Sequence, residues 1–317
     1  MNKQIAILFL FLILNTTGFA FQQIDTNHIE TAAILETPTG KIFGTVTTSI
    51  SFTKGPVVLI IAGSGPTDRN GNNPRMKNNS LQQLAFALAA SGISSLRFDK
   101  RGIAESASSM GKEADLRFDD YVNDVSSWID FLKTDKRFTK IIVAGHSEGS
   151  LIGMIASNGK ADKFISIAGA GKPAGELIRE QLDKQPDQVK DIAFPILDSI
   201  VAGHTVSDVN PMLASLFRQS VQPYLISWFK YNPQTEIAKL KIPVLILQGD
   251  NDIQVSEDDA ELLSKANKDF KKEIIKNMNH VLKIVSDDRD ENVKSYSNPS
   301  LPISAELVAQ IVSFVNK

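Results

Sequence analysis

Cysteine is absent from this 317-residue chain, which excludes disulfides, thiolate metal sites and a lipid-modified N-terminal cysteine. Histidine is scarce: His28, His146, His204 and His280 are the only four, so imidazole chemistry has to run through one of them. Charge is nearly balanced at a formal −2, the isoelectric point is near 6.1, and no lysine or arginine cluster offers a footprint for nucleic acid. No glycine-rich loop ends in Gly-Lys-Ser or Gly-Lys-Thr, so a phosphate cradle is poorly supported. Internal repeats and low-complexity stretches are also missing. What remains, 42% hydrophobic and 22% charged residues, is the composition of an ordinary globular protein with one large core. Small, roughly neutral ligands suit it best.

The longest apolar run near the N-terminus, Ile5 to Leu14, has ten residues, well short of the roughly 20 that span a bilayer. It follows Lys3 and precedes Asn15-Thr16-Thr17-Gly18-Phe19-Ala20, with small residues at the third-last and last positions. That is the pattern of a cleavable export signal. Residues 1–20 are therefore expected to be a signal peptide, and the mature protein to be free of a stable membrane anchor in the periplasm or outside the cell.

After a polar start, 31–36 and 41–48 flank Thr37-Pro38-Thr39-Gly40, where proline and glycine mark the turn of a β-hairpin. Five short, bulky apolar runs without alternation follow, at 57–61, 93–98, 141–144, 164–168 and 244–247. They read as parallel strands buried on both faces. Helix-like segments separate them at 81–90, 121–132, 151–156 and 258–266, and 307–315 closes the chain. Alternation of this kind predicts a doubly wound, mostly parallel α/β sheet. The interval 172–240 contains no convincing strand and is too long for a plain loop. It is expected to be a helical insertion dividing a core of 21–171 and 241–317. Within it, Asn210-Pro211 marks a helix start. Phe217, and then Tyr224 and Trp228 after Pro223, are candidate walls of an apolar pocket, although each also suits plain packing against the sheet. The charge cluster at 287–291 reads as a solvated loop.

Gly145-His146-Ser147-Glu148-Gly149 lies between a buried strand and a helix. A serine in Gly-x-Ser-x-Gly at such a junction sits on a strained turn that pushes its hydroxyl outward. Ser147 is the candidate nucleophile, and the bland alternative is a helix cap. A serine hydroxyl needs a base, and the base needs a group that fixes its tautomer. His280, in a loop beyond the predicted strand 273–275, fits the order serine, acid, histidine that accompanies such an elbow. His28 lies in the polar start, His146 points away from the serine, and His204 falls in the insertion. For the acid, Asp250 and Asp252 compete in Gly249-Asp250-Asn251-Asp252. Asp252 is preferred, with Asp250 expected to bond local backbone amides of a turn.

Acyl transfer further requires two N–H donors aimed at the developing oxyanion. Glu148 supplies one, as the residue after the nucleophile, and Ser64 in Ala62-Gly63-Ser64-Gly65-Pro66 the other. Asp68-Arg69-Asn70-Gly71-Asn72-Asn73 superficially resembles a calcium loop but has Asn73 and Asn79 where glycine and glutamate belong. Neither metal nor cofactor is expected.

These residues together resemble the α/β-hydrolase superfamily from about Thr31 to the C-terminus. The elbow is similar to its Gly-His-Ser-x-Gly, and Gly249, Asp252 and Val255 match its Gly-x-x-Asp-x-x-Val. Asn279-His280 resembles its histidine loop, and Asp99-Lys100-Arg101-Gly102 with Ser106 resembles its Asp-x-Arg-Gly-x-Gly-x-Ser turn, with Ala104 in place of a glycine. The segment 63–69 looks like the oxyanion loop of bacterial carboxylesterases related to serine aminopeptidase-like hydrolases, with Ala62 where a histidine is usual. The resemblance implies a helical cap at the insertion and a Ser147–His280–Asp252 triad acting on small-molecule esters of small to medium acyl chains. An aminopeptidase or amidase with the same triad is the competing enzyme, and a binding protein on a hydrolase scaffold the competing non-enzyme. Haloalkane and epoxide chemistry is disfavoured, because those relatives place an aspartate where Ser147 stands.

Overall fold

Thr37 closes the first turn by donating its hydroxyl to the carbonyl of Gly40 at 2.6 Å. This turn joins β1 (His28–Thr37) antiparallel to β2 (Gly40–Ser49). In the computed structural model, which describes residues 27–317, the hairpin forms one edge of an eight-stranded sheet. The expected export signal lies outside the described residues. The other strands are β3 (Gly55–Ile61), β4 (Ser94–Phe98), β5 (Phe138–His146), β6 (Lys163–Ile167), β7 (Val244–Gly249) and β8 (Lys271–Ile275). Their order is β1-β2-β4-β3-β5-β6-β7-β8. β2 meets β4 antiparallel, and every pair from there to β8 is parallel.

The apolar runs lack alternation because both faces of the sheet are covered. Val57, Leu59, Ile61 and Val143 pack into one hydrophobic cluster, while Val58, Ile60, Ile142 and Ala144 pack into the other. On that second face lie α1 (Ser80–Ala90), through Leu81, Leu84 and Leu88, and the last helix of the chain, Ala305–Asn316, through Leu307, Ile311 and Phe314. The first face is covered by α2 (Phe118–Thr134) and α3 (Glu148–Ser157). Between β6 and β7 the chain makes α4 (Ala174–Asp183), α5 (Asp187–Val201), α6 (Ala214–Phe217), α7 (Gln222–Phe229) and α8 (Pro233–Ala238), and no strand. Asn210 starts the α6 segment as expected, accepting from the Met212 amide at 3.0 Å. α9 (Glu257–Ser264) follows β7, then α10 (Arg289–Ser295) and the terminal helix, α11.

α10 corrects one expectation. The 287–291 charge cluster is not a plain loop: Asp288 caps this helix by accepting from the Glu291 amide at 2.9 Å, with Asp290 and Glu291 in its first turn. Acidic side chains there satisfy free amides and oppose the helix dipole, so charge density marks a helix start.

The strand-to-helix turn after β5 depends on two missing side chains. A Cβ on Gly145 would lie 2.1 Å from the Gly149 carbonyl oxygen, and one on Gly149 would lie 2.6 Å from that of Ile61. Backbone sits at both contacts and cannot swing aside. Gly145→Ala is accordingly expected to destabilise the fold by at least the ~1–3 kcal/mol typical of overpacking, read as a fall in thermal midpoint; an unchanged midpoint would contradict this packing.

The same turn buries His146, whose Nε2 donates to the carbonyl of His280 at 2.8 Å. Burial, with the neighbouring His280 ring, pushes His146 down to about 4, so it is neutral in the fold. An unfolded chain takes up this proton at higher pH than the folded one. The stability contributed by neutral His146 is therefore complete above about pH 6.5 and is lost as pH falls towards 4, a loss on the order of 3 kcal/mol. Urea midpoints measured from pH 7 to 4.5 should fall more steeply for the wild type than for His146→Gln; parallel profiles would show that this proton is not linked to folding.

Candidate active site

Ser147 occupies the turn with φ 54° and ψ −122°, a conformation that costs a non-glycine residue on the order of 1–3 kcal/mol. Its amide is anchored to the Ile167 carbonyl at 2.9 Å. Its side chain makes no capping bond to α3, which removes the bland reading of this serine. The hydroxyl belongs instead to the wall of a cavity of about 750 Å³ between the ends of the strands and the helical insertion.

The structure brings Asp252 and His280 together. Asp252 Oδ2 lies 2.7 Å from Nδ1 of His280, and both side chains are almost fully buried. Oδ1 accepts from the amides of Gln254 at 2.7 Å and Val255 at 3.0 Å. Burial alone would raise the Asp252 carboxyl, but His280 and these amides outweigh it and hold the group below the ordinary aspartate value. Nδ1 thus carries the proton, and Nε2 is the acceptor. No hydrogen bond joins His280 to Ser147 Oγ in this arrangement; such contacts commonly tighten only when substrate is bound. Asn279 braces the loop by donating to Asn292 at 3.0 Å and Ser295 at 2.6 Å.

Asp250 differs from expectation. It accepts from the amide of Asn277 at 2.5 Å, 27 residues away, whereas the local turn amides go to Asp252. Asp250 joins the ends of β7 and β8 because those strands are parallel neighbours. His28 stacks on Phe86 with ring centroids 3.9 Å apart, and His204 is exposed just beyond α5.

Ser64 and Glu148 line the same cavity as Ser147, and the backbone N–H of each donates to no protein acceptor. Around Ser64 the loop is tied at several points. Thr67 donates its hydroxyl to the Ser64 carbonyl at 2.8 Å, and Asp99 accepts from the Arg69 amide at 2.8 Å and its guanidinium at 2.7 Å. Ala62, where a histidine is usual, is buried in the hydrophobic core. Further on, Asp68 accepts from the amides of Asn70 and Asn72 at 2.8 and 2.9 Å, so the segment that resembles a calcium loop directs its first ligand position to its own backbone.

One group was missed from sequence. Lys100 Nζ lies 2.5 Å from the Gly63 carbonyl oxygen and 2.9 Å from Glu148 Oε2, with both side chains only 2% exposed. The other oxygen of Glu148 accepts from the hydroxyl of Tyr224. The signal was a lysine and a glutamate inside two apolar-flanked motifs, but nothing in one sequence pairs them across 48 residues.

Tyr224 and Trp228 do line the cavity, held to α2 by an aromatic pile in which Phe118 stacks on Trp228 at 6.0 Å, 3° from parallel. Phe217 does not. It is fully buried among the insertion's core residues, and its neighbour Leu216 lines the cavity instead. Successive residues of a helix point about 100° apart, so a single turn such as α6 offers only one of the two to the cavity.

With this geometry in view, similarity to known proteins is informative. Residues 76–224 match the family described as serine aminopeptidase, S33. Esterase EstD of Thermotoga maritima is 27% identical over 222 residues, 66% of this chain and 50% of that protein; the match thus spans about half the length of the curated relative. Among solved structures, Est1E from Butyrivibrio proteoclasticus, with ferulic acid bound, superposes with a TM-score of 0.63 at 20% identity, covering 90% of this chain and 99% of that one. The esterase Pf2001 of Pyrococcus furiosus gives 0.57 at 14% identity, covering 91% of each. Sheet order, the turn at Ser147 and these solved structures agree on an α/β-hydrolase fold, and the sequence matches are to a serine aminopeptidase family and to an esterase.

Proposed function

We propose that this protein is an exported serine hydrolase that cleaves carboxylic esters of small to medium acyl chains through an acyl-enzyme. The observation that carries the reading is that the strained Ser147 and two amides without acceptors line one cavity, while the ring beside His146, 4.9 Å between centroids, is His280, whose tautomer is fixed by Asp252. Ser147 Oγ attacks the ester carbonyl while His280 Nε2 takes its proton. The tetrahedral oxyanion accepts from the Ser64 and Glu148 amides, and Asp252 stabilises the imidazolium. Collapse expels the alcohol, which receives the proton from His280. Water, deprotonated by the same nitrogen, then attacks the acyl-serine and releases the acid. The insertion 172–240 acts as the cap over the acyl group. The apolar run following Lys3, together with the small residues at 18 and 20, supports export, and N-terminal sequencing of the secreted or periplasmic protein checks the cleavage after residue 20.

The family description favours one competitor, an aminopeptidase with the same triad. A free amino terminus needs an available carboxylate. Glu148 is the sole carboxylate among the residues lining the cavity, and Lys100 and Tyr224 already engage it. Esters are therefore the better substrates.

Mature protein is expected to hydrolyse p-nitrophenyl acetate and butyrate faster than palmitate and faster than aminoacyl anilides. Turnover of anilides alone would replace the esterase reading with the peptidase one. Ser147→Ala should lower kcat on the order of 10⁶-fold, and Asp252→Asn on the order of 10⁴-fold through loss of the correct tautomer. Labelling by a fluorophosphonate that survives Ser147→Ala would show that another residue is the nucleophile. Rate should also decline towards acid, because a protonated imidazole cannot act as a base; a flat profile from pH 5 to 9 would count against a histidine mechanism.

A further inference from the structure

The donor expected from the loop after β3 is the N–H of Ser64, and its direction is not set by Ser64 itself. A peptide unit is planar and trans, so the carbonyl of Gly63 and the N–H of Ser64 belong to one rigid plate and point in opposite directions. Whatever holds the Gly63 oxygen aims the Ser64 hydrogen. Lys100, which is not among the residues lining the cavity, holds it with Nζ at 2.5 Å. We propose that Lys100 is a positioning residue of the oxyanion hole, a buried cationic strut that orients and polarises the Gly63–Ser64 peptide. The inference rests on the esterase reading above and deepens it.

Further observations support this role. Lys100 is fully buried, and its partners there are Gly63 O, Glu148 Oε2 and the face of Tyr121, 5.0 Å from Nζ to the ring centroid. A cation bonded to a carbonyl draws electron density from that amide and makes its N–H a stronger donor, an effect enlarged where water is excluded. Glu148, the counter-ion, also carries the second expected donor on its own backbone, so one ion pair ties both N–H groups to a common frame. Tyr224, on cap helix α7, completes Glu148, which connects the cap to that frame. Gly63 has no side chain to resist rotation of the plate, and a Cβ there would lie 3.1 Å from Cβ of Ser147, so bulk cannot substitute for the strut. The position before the loop, Ala62, offers no hydrogen bond that would do so.

The test compares wild type, Lys100→Met and the double variant Lys100→Met/Glu148→Gln. The double variant removes both buried charges while glutamine still accepts from Tyr224. A positioning role predicts a kcat for p-nitrophenyl butyrate lowered about 10- to 100-fold in both variants, since loss of one oxyanion donor costs about 10² to 10³ and misorientation somewhat less. KM should stay within about threefold. The single variant should also lose thermal stability by leaving Glu148 buried without its counter-ion, and the double should recover most of it while kcat stays low. The Ser64 amide ¹⁵N resonance should move in both. A double variant with kcat within twofold of wild type, or a kcat that recovers along with stability, overturns the strut, as does an unmoved Ser64 resonance. A wild type inert towards esters whose Ser64 resonance nevertheless moves in the variants would sink the esterase reading and leave the strut standing.

Discussion

A serine at φ 54° between a buried strand and a buried helix cannot relax without unpacking one of them, and the site is built outward from that constraint. The turn is tight enough that Gly145 and Gly149 touch backbone, which brings α3 onto the end of β5 and leaves the amide of Glu148, its first residue, without an acceptor. Every other contributor arrives at the same rim. Ser64 follows β3, Lys100 follows β4, Asp252 follows β7 and His280 follows β8. In a parallel sheet all these strands end on one side, so a single crevice collects side chains from across the chain.

Water is excluded from much of this rim, and that decides how its charges behave. Asp252 stays ionised because an imidazole and two amides meet it. His146 stays neutral because burial, with the neighbouring His280 ring, outweighs its bond to a carbonyl. Lys100 and Glu148 are buried as a pair, and each would be costly alone. Polar groups here are held in register by one another, in contrast to the helices between β6 and β7, where the Phe118–Trp228 stack and its aromatic neighbours provide the anchorage.

The sheet was legible in the sequence because a strand covered on both faces must be apolar throughout, and runs such as 57–61 have no other economical use. Ser147, Asp252 and His280 were legible as candidates because serine, acid and histidine fell in a recognisable order among few histidines. Their geometry, however, came only from the structure. Local exceptions had local causes: the acidic cluster at 287–291 was read for its solubility when it caps a helix, and Phe217 was read for its aromatic ring when Leu216 faces the cavity. Asp250 and Asp252 were told apart by motif, yet it is Asp252 that takes the turn amides. The Lys100 cluster was illegible for a different reason. Its contacts join residues 37, 48 and 76 positions apart, and a lysine in a turn motif gives no hint that it will be buried.

Those separations also order events in time. The strained turn at Ser147 needs only β5, α3 and adjacent strands, all encoded before residue 170, but Glu148 obtains Tyr224 only after the helices between β6 and β7 have docked, and Asp252 obtains His280 only when β8 and the loop beyond it are in place. Non-local contacts of this kind close late, because chain entropy opposes them until most of the core exists. During synthesis the serine therefore emerges more than a hundred residues ahead of His280. A partly made or partly folded chain holds the strained turn without the Asp252–His280 pair, and the complete constellation is a property of the finished molecule alone.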